Sequence, residues 1–262
     1  WCRRGRHHRS FRGPALQRDS PMKLFYQTTL ALMMTAVGCF SAAHAGMQLV
    51  GTRVIYPANE REVTVHMNNV GDTPRMVQAW IDDGDAKATA ETAKAPFILT
   101  PPLSRVDPGK GQALRILFTG GNVPQDRESI FWLNVLEISP KPGEDTKNYL
   151  QFAVRTRVKI LYRPVGLLGD PASSIKQVTW RLVRDKGELS MECSNSTAYN
   201  VNLAEVRLKD AAPDTSIGKG GTCPAKGREV FPLKGGSDNG KVVYRAIDDY
   251  GAYIDGEAAY SR

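Results

Sequence analysis

One segment of this chain alternates regularly between apolar and polar side chains. Residues 149–163 read YLQFAVRTRVKILYR. From Leu150 to Tyr162 the even positions hold Leu, Phe, Val, Thr, Val, Ile and Tyr, whereas the odd positions hold Gln, Ala, Arg, Arg, Lys and Leu. A period of two predicts a strand with one apolar and one polar face. Because a long apolar strand at a sheet edge invites pairing with another chain, the segment also predicts a strand that meets a partner.

The positive charge of the chain lies mostly in its first 45 residues. The formal net charge is +8, and residues 1–45 hold seven Arg and Lys against one acid, a net +6. Residues 46–262 therefore carry only +2. Nucleic-acid binding loses its main support, since a basic domain surface is the usual sign of it.

Residues 22–45 have the pattern of a secretory signal peptide. Lys23 supplies the basic start, 24–40 the apolar stretch, and Ala43-His44-Ala45 an A-x-A cleavage site. The alternative, a membrane anchor, needs a longer uninterrupted apolar run. We therefore expect Sec-dependent export and a soluble protein after cleavage near Ala45. Residues 1–21 precede a plausible start at Met22 and are interpreted as upstream, non-native translation.

Most of the remaining chain is patterned as short strands separated by turn residues. Seven strands within about 118 residues are typical of an immunoglobulin-like sandwich. Residues 86–95 could form a helix but are interpreted as a loop, and Pro164 with residues 165–172 is a hinge candidate. The predicted strands are 48–56, 61–69, 75–82, 96–99, 112–119, 129–138 and 149–163, and after the hinge 174–183, 188–194, 199–208, 228–233 and 241–248.

Two cysteines follow the leader, Cys193 and Cys223. In an exported protein a disulfide is favoured over free thiols. It would join a strand to the loop predicted over 210–227. A metal site is the alternative, but His66 is the only histidine after residue 45 and would be its only imidazole ligand.

The motifs of common enzymes are absent. The chain has no G-x-S-x-G elbow, P-loop or H-E-x-x-H sequence, and His66 lies on the polar side of an alternating strand. The acidic run Asp82, Asp83 and Asp85 could bind calcium, but it lacks the glutamate of an EF-hand loop and is interpreted as a solvated turn. The chain is therefore predicted not to be an enzyme.

The odd face of the alternating strand carries four cations, namely Arg155, Arg157, Lys159 and Arg163. From spacing alone a solvated edge with protective charges is favoured. The alternative is a cationic anchor for an anionic group of a partner.

Several segments together resemble the periplasmic chaperones of the chaperone–usher pilus pathway, the PapD-like family. They run in family order and comprise GTRVIYP (51–57), ILTPPLSRVDPGKGQALRI (98–116), PQDRESIFWLNVLEISP (124–140), KILYRP (159–164) and DDYGAY (248–253). The resemblance implies an all-β protein of two immunoglobulin-like β-sandwich domains, 46–163 and 164–262, set at an angle with a cleft between them.

The resemblance also implies the function. A chaperone of this family binds pilin subunits in the periplasm by donor-strand complementation, in which an edge strand fills the groove of an incomplete subunit. It helps the subunits fold, prevents premature polymerisation and delivers them to the outer-membrane usher, with no cofactor. Whether the free chaperone caps its own edge as a homodimer is left open by the sequence. The alternative is an exported structural or adhesive sandwich that self-associates through the same edge.

Site residues follow from the matched motifs. The resemblance implies a carboxylate anchor (Arg53, Lys159), donor side chains (Leu150, Phe152, Val154) and an interdomain salt bridge (Glu128, Arg163, Asp249). Ser139 stands where the family usually has proline, and Asp248 where it often has asparagine. The loop 141–147 is short and lacks cysteine, which resembles the branch of the family that builds rod-like pili.

Overall fold

The computed structural model describes residues 46–140, 150–185, 188–209, 220–232 and 240–261. The predictions for the leader, its cleavage at Ala45 and the loop 141–147 lie outside these residues. No helix in this part of the chain is long and apolar enough to cross a membrane.

The N-terminal domain is a sandwich of two sheets. One sheet has the order β1-β3-β7-β5 and the other β2-β9-β8-β4-β6. The strands are β1 (Met47–Leu49), β2 (Arg53–Pro57), β3 (Val63–Asn69), β4 (Arg75–Asp82), β5 (Phe97–Thr100), β6 (Leu103–Val106), β7 (Gly111–Phe118), β8 (Ser129–Ile138) and β9 (Ala153–Arg163). Residues 86–95 form turns and no helix, as predicted.

Alternation along the strands explains the core of this domain. In β3, Val65 and Met67 are buried, whereas Thr64 and His66 are exposed, as the pattern predicted. The inward side chains of both sheets interdigitate between the layers. The fully buried residues of this core include Tyr56, Met67, Leu114, Ile116, Leu133 and Ile160.

The predicted strand 48–56 is wrong as a single element. The chain bends at residues 50–52, so that β1 pairs with β3 in one sheet and β2 pairs with β9 in the other. Gly51 has a φ of 97°, a conformation that side chains with a Cβ rarely adopt, and it permits the change of sheet. Strand β6 was not predicted because Leu103–Val106 is short and directly follows two prolines.

Strand β9 is shorter than the alternating segment that predicted it. It begins at Ala153, where its pairing with β8 begins at Ile138. Its C-terminal part, 159–163, also pairs in parallel with β2. Among the described residues, β9 is therefore unpaired on one side only over 153–158. The prediction of a strand from residue 149 is wrong for residues 150–152, which precede β9.

The described residues of the C-terminal domain form one short helix and seven strands. These are α1 (Pro171–Ile175), β10 (Thr179–Asp185), β11 (Glu188–Asn195), β12 (Val201–Leu208), β13 (Gly221–Cys223), β14 (Gly227–Pro232), β15 (Gly240–Ile247) and β16 (Tyr253–Ser261). Hydrogen bonds connect them in the order β13-β12-β15-β16-β10-β11-β14. The sheet curls until its outer strands β13 and β14 come close, and it encloses a core around Trp180, Met191 and Tyr244.

Cys193 on β11 and Cys223 on β13 form a disulfide with a Cα–Cα distance of 6.1 Å. Both cysteines are buried in the core of the C-terminal domain. The prediction that Cys223 lies in a loop is wrong, since it ends strand β13. Residues 224–226 of the predicted loop connect β13 to β14 through a turn, and residues 210–219 lie outside the described residues.

The predicted strand 174–183 is also wrong at its start. Asp170 caps α1 by accepting a hydrogen bond from the Ser173 N–H at 2.8 Å, and Pro171 occupies the first turn, where its missing N–H costs nothing. The strand begins only at Thr179. Strand β16 was not predicted because its small and polar residues mask the alternation.

Candidate functional site

Arg53 and Lys159 lie side by side between the two domains. They are register partners on the parallel strands β2 and β9, which places both side chains on the same face of the sheet. Arg53 donates through Nη1 to the carbonyl oxygen of Ile247 at 3.0 Å. Lys159 donates to Asn202 Oδ1 and Thr222 Oγ1. Each cation of the N-terminal domain therefore touches the C-terminal domain.

The environment of Lys159 disfavours its positive charge. Burial and the neighbouring Arg53 charge together lower the pKa of its ammonium to about 8. The ammonium also lies over the ring of Trp132, 5.4 Å from its centroid. At neutral pH the group is still mostly protonated, so an anion that approached it would relieve an unfavourable charge.

Arg53 also has capacity for an anion. Burial lowers the pKa of Arg53, although Asp249 and Asp248 act in the opposite direction. Its Nε is buried and has no hydrogen-bond partner among the described residues. Within the same part of the chain, neither Arg53 nor Lys159 forms an ion pair within 4.0 Å. The pair can therefore offer charge-assisted hydrogen bonds to a carboxylate.

Three apolar side chains are exposed at the start of β9, two just before the strand and one within it. Leu150, Phe152 and Val154 are 78%, 67% and 54% exposed. Further along the same face, Val158 packs against the core and Ile160 belongs to it. The alternating face thus has two parts, one exposed and one within the sandwich.

The opposite face of β9 is packed against neighbouring strands. Arg157 pairs with Asp82 of β4 at 2.5 Å, and Asp82 also accepts from Asn134 Nδ2 of β8 at 2.7 Å. Arg155 donates to Asn134 Oδ1 at 2.9 and 2.6 Å. Arg155 and Arg157 stack over Trp80 and Trp132, with guanidinium carbons 4.9 and 4.2 Å from the ring centroids.

The prediction that the acidic run is a solvated turn is therefore wrong for Asp82. Its side chain is 0% exposed, whereas Asp83 and Asp85 are exposed. Burial would raise the pKa of Asp82, but hydrogen bonds from Arg157 and Asn134 outweigh it and lower the pKa below its usual value. No cluster of three or more potential metal ligands occurs in the described ranges.

Glu128, Arg163 and Asp249 come together where the domains meet. Arg163 donates to Glu128 Oε1 through Nε at 2.7 Å, and to both oxygens of Asp249 at 3.0 and 3.2 Å. Glu128, 4% exposed, also accepts from the Asn200 N–H at 2.9 Å. Burial opposes the charge of Arg163, but Asp249 and Glu128 outweigh it and raise its pKa.

A tight turn between β15 and β16 places Asp249. Asp248 Oδ1 accepts from the N–H groups of Tyr250 and Ala252 at 2.9 and 2.8 Å, so Asp248 shapes the turn while Asp249 meets Arg163. Gly251 has a φ of 89°, and a Cβ there would lie 2.9 Å from Thr52 Oγ1. The turn therefore needs glycine both for its conformation and for its approach to the segment before Arg53.

Family models match nearly the whole of the described chain. Residues 46–168 match the pili and flagellar-assembly chaperone PapD N-terminal domain, and residues 173–258 match the pili assembly chaperone PapD C-terminal domain. The chain belongs to the PapD-like family of pilus chaperones.

Relatives of this chaperone support the same assignment. Chaperone protein FimB/FhaD of Bordetella pertussis is 44% identical over 83% of this chain and 89% of its own length. The probable fimbrial chaperone YadV of Escherichia coli is 35% identical over 88% and 96%. The crystal structure of YadV superposes with a TM-score of 0.67 at 34% identity, covering 82% of this chain and all of that one.

A further solved structure contains a client. The SafB chaperone in complex with the Salmonella enterica SafA pilin matches with a TM-score of 0.69 at 25% identity, over 82% of this chain and 96% of that one. The predicted fold class and family are confirmed. The relatives are named as chaperones, a non-enzymatic family, so the prediction of no enzyme is also confirmed. This protein is a chaperone of pilus assembly.

Several residues at the site of this chaperone were missed in the sequence. Asn202 and Thr222 contact Lys159 from the C-terminal domain, and Asp82, Asn134 and Trp132 support β9. A signal existed for Asn202, an amide within the apolar run of β12. Its partner Lys159 is 43 residues away, so only the tertiary structure connects them.

Ser139 makes contacts that a proline could not make in full. Its hydroxyl accepts from Arg75 Nη1, and its carbonyl accepts from Gln151 Nε2 at 2.9 Å. Arg75 also pairs with Glu137 at 3.1 Å, and Glu137 accepts from the Met47 N–H at 2.8 Å. The serine therefore joins a polar cluster at the start of the exposed edge.

Proposed function

We propose that this chaperone acts in the periplasm, binds pilin subunits by donor-strand complementation and delivers them to an outer-membrane usher. The observation that carries the proposal is the exposed apolar face of Leu150, Phe152 and Val154 beside the unpaired edge 153–158. An isolated protein gains nothing from exposing three large side chains in a row. A client that lacks a strand would cover both the side chains and the backbone edge.

The energetics favour such pairing. Each large apolar side chain that becomes fully buried contributes roughly 1.5–3 kcal/mol, and the edge adds main-chain hydrogen bonds. Register matters, because a shift of one residue would turn the apolar side chains away from the client groove. We assign Leu150, Phe152 and Val154 as the donor side chains.

Arg53 and Lys159 supply the second part of the proposal. Among the described residues, neither of these adjacent, half-buried cations forms an ion pair, and together they fit the C-terminal carboxylate of a bound subunit. An anchor at a fixed point relative to β9 sets the register of the paired strand. The SafB–SafA complex, a chaperone with its pilin, supports a pilin as the client.

We assign a different role to Glu128, Arg163 and Asp249. These residues join the end of β9 and the start of β8 to the C-terminal domain. The network would fix how the cleft presents Arg53 and Lys159. The domain division at residues 163 and 164 belongs to the same proposal.

Co-purification with a histidine-tagged pilin from periplasmic extract tests the proposal. We expect Arg53→Ala and Lys159→Ala to lose most of the captured subunit, because each removes a charge-assisted bond worth about 1.5–3 kcal/mol. Arg105→Ala is the matched control, since Arg105 is an exposed cation of the same domain, away from the cleft. Folded Arg53→Ala and Lys159→Ala proteins that retain subunit normally would refute the anchor.

A second pair of variants tests the donor face. Phe152→Ser removes an exposed aromatic side chain from the face, and Leu168→Ser removes an 88% exposed side chain elsewhere. We expect the first change to reduce subunit capture and the second to leave it intact. Equal capture by both variants would exclude Phe152 as a donor residue.

The proposal extends to the free chaperone and to its route. Without a client, two copies would cover their apolar edges by pairing, and Phe152→Ser would shift the mass from dimer to monomer in light scattering.

Cell fractionation with mass spectrometry of the mature N-terminus tests export and cleavage near Ala45. Retention by an immobilised usher of the pilin-loaded protein, but not of the free protein, tests delivery.

A further inference from the structure

A cavity of about 250 Å³ lies in the C-terminal domain. It is formed by α1, the ends of β12 and β15, and the turn before β16. The apolar part of its lining comprises Pro171, Ala172, Ile175, Ile247, Tyr250 and Ile254. The cavity exceeds the roughly 150 Å³ that holds a benzene molecule, so it can take one aromatic ring.

Two residues connect this cavity directly to the cations. Asn202 and Ile247 are register partners on β12 and β15, and both line the cavity. Asn202 Oδ1 accepts from Lys159, and the carbonyl oxygen of Ile247 accepts from Arg53. Two residues of the cavity lining are therefore also direct contacts of the two cations.

We propose that this cavity receives the side chain of the subunit's C-terminal residue. The proposal rests on the carboxylate anchor of the proposed function. A terminal side chain branches from the Cα that carries the carboxylate, so binding of the carboxylate at Arg53 and Lys159 places it next to Asn202 and Ile247. The cavity is the space available to it on the C-terminal domain.

The lining selects the chemistry of that side chain. Isoleucine and proline side chains favour an apolar body. Asp170, Asp248 and Asp249 also line the cavity and repel an acidic side chain, and burying an unpaired charge would be costly. The preferred terminal residue is therefore aromatic or large aliphatic, and an acidic one is disfavoured.

Isothermal titration calorimetry with the purified chaperone tests this preference. The probes are acetylated nine-residue peptides of alternating valine and threonine that end in Phe, Leu, Ala or Asp with a free carboxylate. A Phe-ended peptide with an amidated terminus reports on the anchor alone. We expect Phe and Leu to bind about ten- to hundredfold more tightly than Ala, and Asp to bind most weakly.

Two variants test whether the preference for Phe over Ala arises in the cavity. Ala172 lines the cavity but is itself exposed, so Ala172→Trp would fill the space without disturbing the core. Lys176→Trp adds the same bulk at an exposed position just after α1, outside the lining, and is the matched control. We expect only Ala172→Trp to abolish the preference for Phe over Ala while the Ala-ended peptide still binds.

The outcomes separate the cavity from the anchor. If the free carboxylate is required but Phe- and Ala-ended peptides bind equally, or the Asp-ended peptide binds best, the cavity proposal is overturned and the anchor stands. If the amidated peptide binds as tightly as the acid and Arg53→Ala changes nothing, the anchor fails and the cavity proposal fails with it. An unchanged Phe preference in Ala172→Trp would also overturn the cavity assignment.

Discussion

The guanidinium of Arg157 lies 2.5 Å from the carboxylate of Asp82, 75 residues earlier in the chain. The pair holds the polar face of β9 against β4, across the intervening strand β8. Because side chains alternate along a strand, fixing this face also fixes the direction of the opposite one. The direction of the exposed apolar face thus depends on a buried carboxylate of another strand.

We expect Asp82→Ala to lower the free energy of unfolding by about 3 kcal/mol. The change leaves Arg157 and Asn134 without their buried partner, and breaking one side of such a pair is costly. Urea denaturation at pH 7 measures the loss. Asp83→Ala is the control, since this neighbouring carboxylate is exposed, and it should change little. Equal effects of the two changes would contradict the role of Asp82.

The contribution of Asp82 also depends on pH. Its pKa is lowered in the folded protein below the usual value of 3.8. The folded state therefore gains stability from this carboxylate above its usual pKa and loses it as pH falls through the lowered value. We expect the penalty of Asp82→Asn to shrink in denaturation experiments from pH 7 to pH 3. A penalty that stays constant over this range would be inconsistent with the lowered pKa.

The lowered pKa of Lys159 should give carboxylate binding and the free energy of unfolding opposite pH dependences. With a folded pKa of about 8 against 10.5 in the unfolded chain, the folded state loses the proton first. Affinity for a carboxylate should therefore fall as pH rises above about 8, whereas the free energy of unfolding should rise between about 8 and 10.5. Titration calorimetry and denaturation at pH 7, 8.5 and 10 measure the two trends.

Lys159→Arg is the control for that experiment, because a guanidinium stays protonated throughout this range. Its carboxylate affinity should remain flat from pH 7 to pH 10, whatever its absolute value. A parallel decline in both proteins would assign the pH dependence to another group.

Two acidic residues of one loop test the coupling of the domains. Glu128 is buried against Arg163, whereas Asp126, 57% exposed, pairs with Lys226 at 2.8 Å on the surface. We expect Glu128→Ala to cost about 3 kcal/mol and to split the calorimetric unfolding into two transitions. Asp126→Ala should leave a single transition, because exposed pairs contribute little. A single transition in both variants would show that other contacts couple the domains.

The disulfide should stabilise the C-terminal domain. Cys193 and Cys223 are separated by 30 residues, for which the chain-entropy model gives about 3–4 kcal/mol. We expect the double variant Cys193→Ser, Cys223→Ser to lose about this amount in urea denaturation. Dithiothreitol should destabilise the parent protein by a similar amount and leave the stability of the double variant unchanged. Any other result would show that the disulfide is not the source of this stability.

Much of this fold was readable locally. The period of two identified β3, β4, β7 and β8 with nearly correct ends. In β3 the inward side chains are buried and the outward ones exposed, whereas β4 and β8 also bury outward side chains, among them Asp82 and Asn134. Elements without that contrast were missed: β13 has three residues, β16 is rich in small and polar ones, and α1 depends on the cap from Asp170. The motif resemblance supplied Arg53, Lys159 and the network of Arg163, which spacing alone did not.

The sequence by itself determined the fold class, the family and the alternating face that ends in exposed side chains at Leu150, Phe152 and Val154, because these depend on neighbouring residues and on motifs in order. Only the tertiary structure decided that β9 is an edge over 153–158 alone and that Asp82 is buried beneath its arginines. It also placed Asn202 both in contact with Lys159 and in the lining of a cavity. Those features arise from pairs such as Lys159–Asn202, Arg157–Asp82 and Arg53–Lys159, which are 43, 75 and 106 positions apart, and a local pattern carries no signal for them.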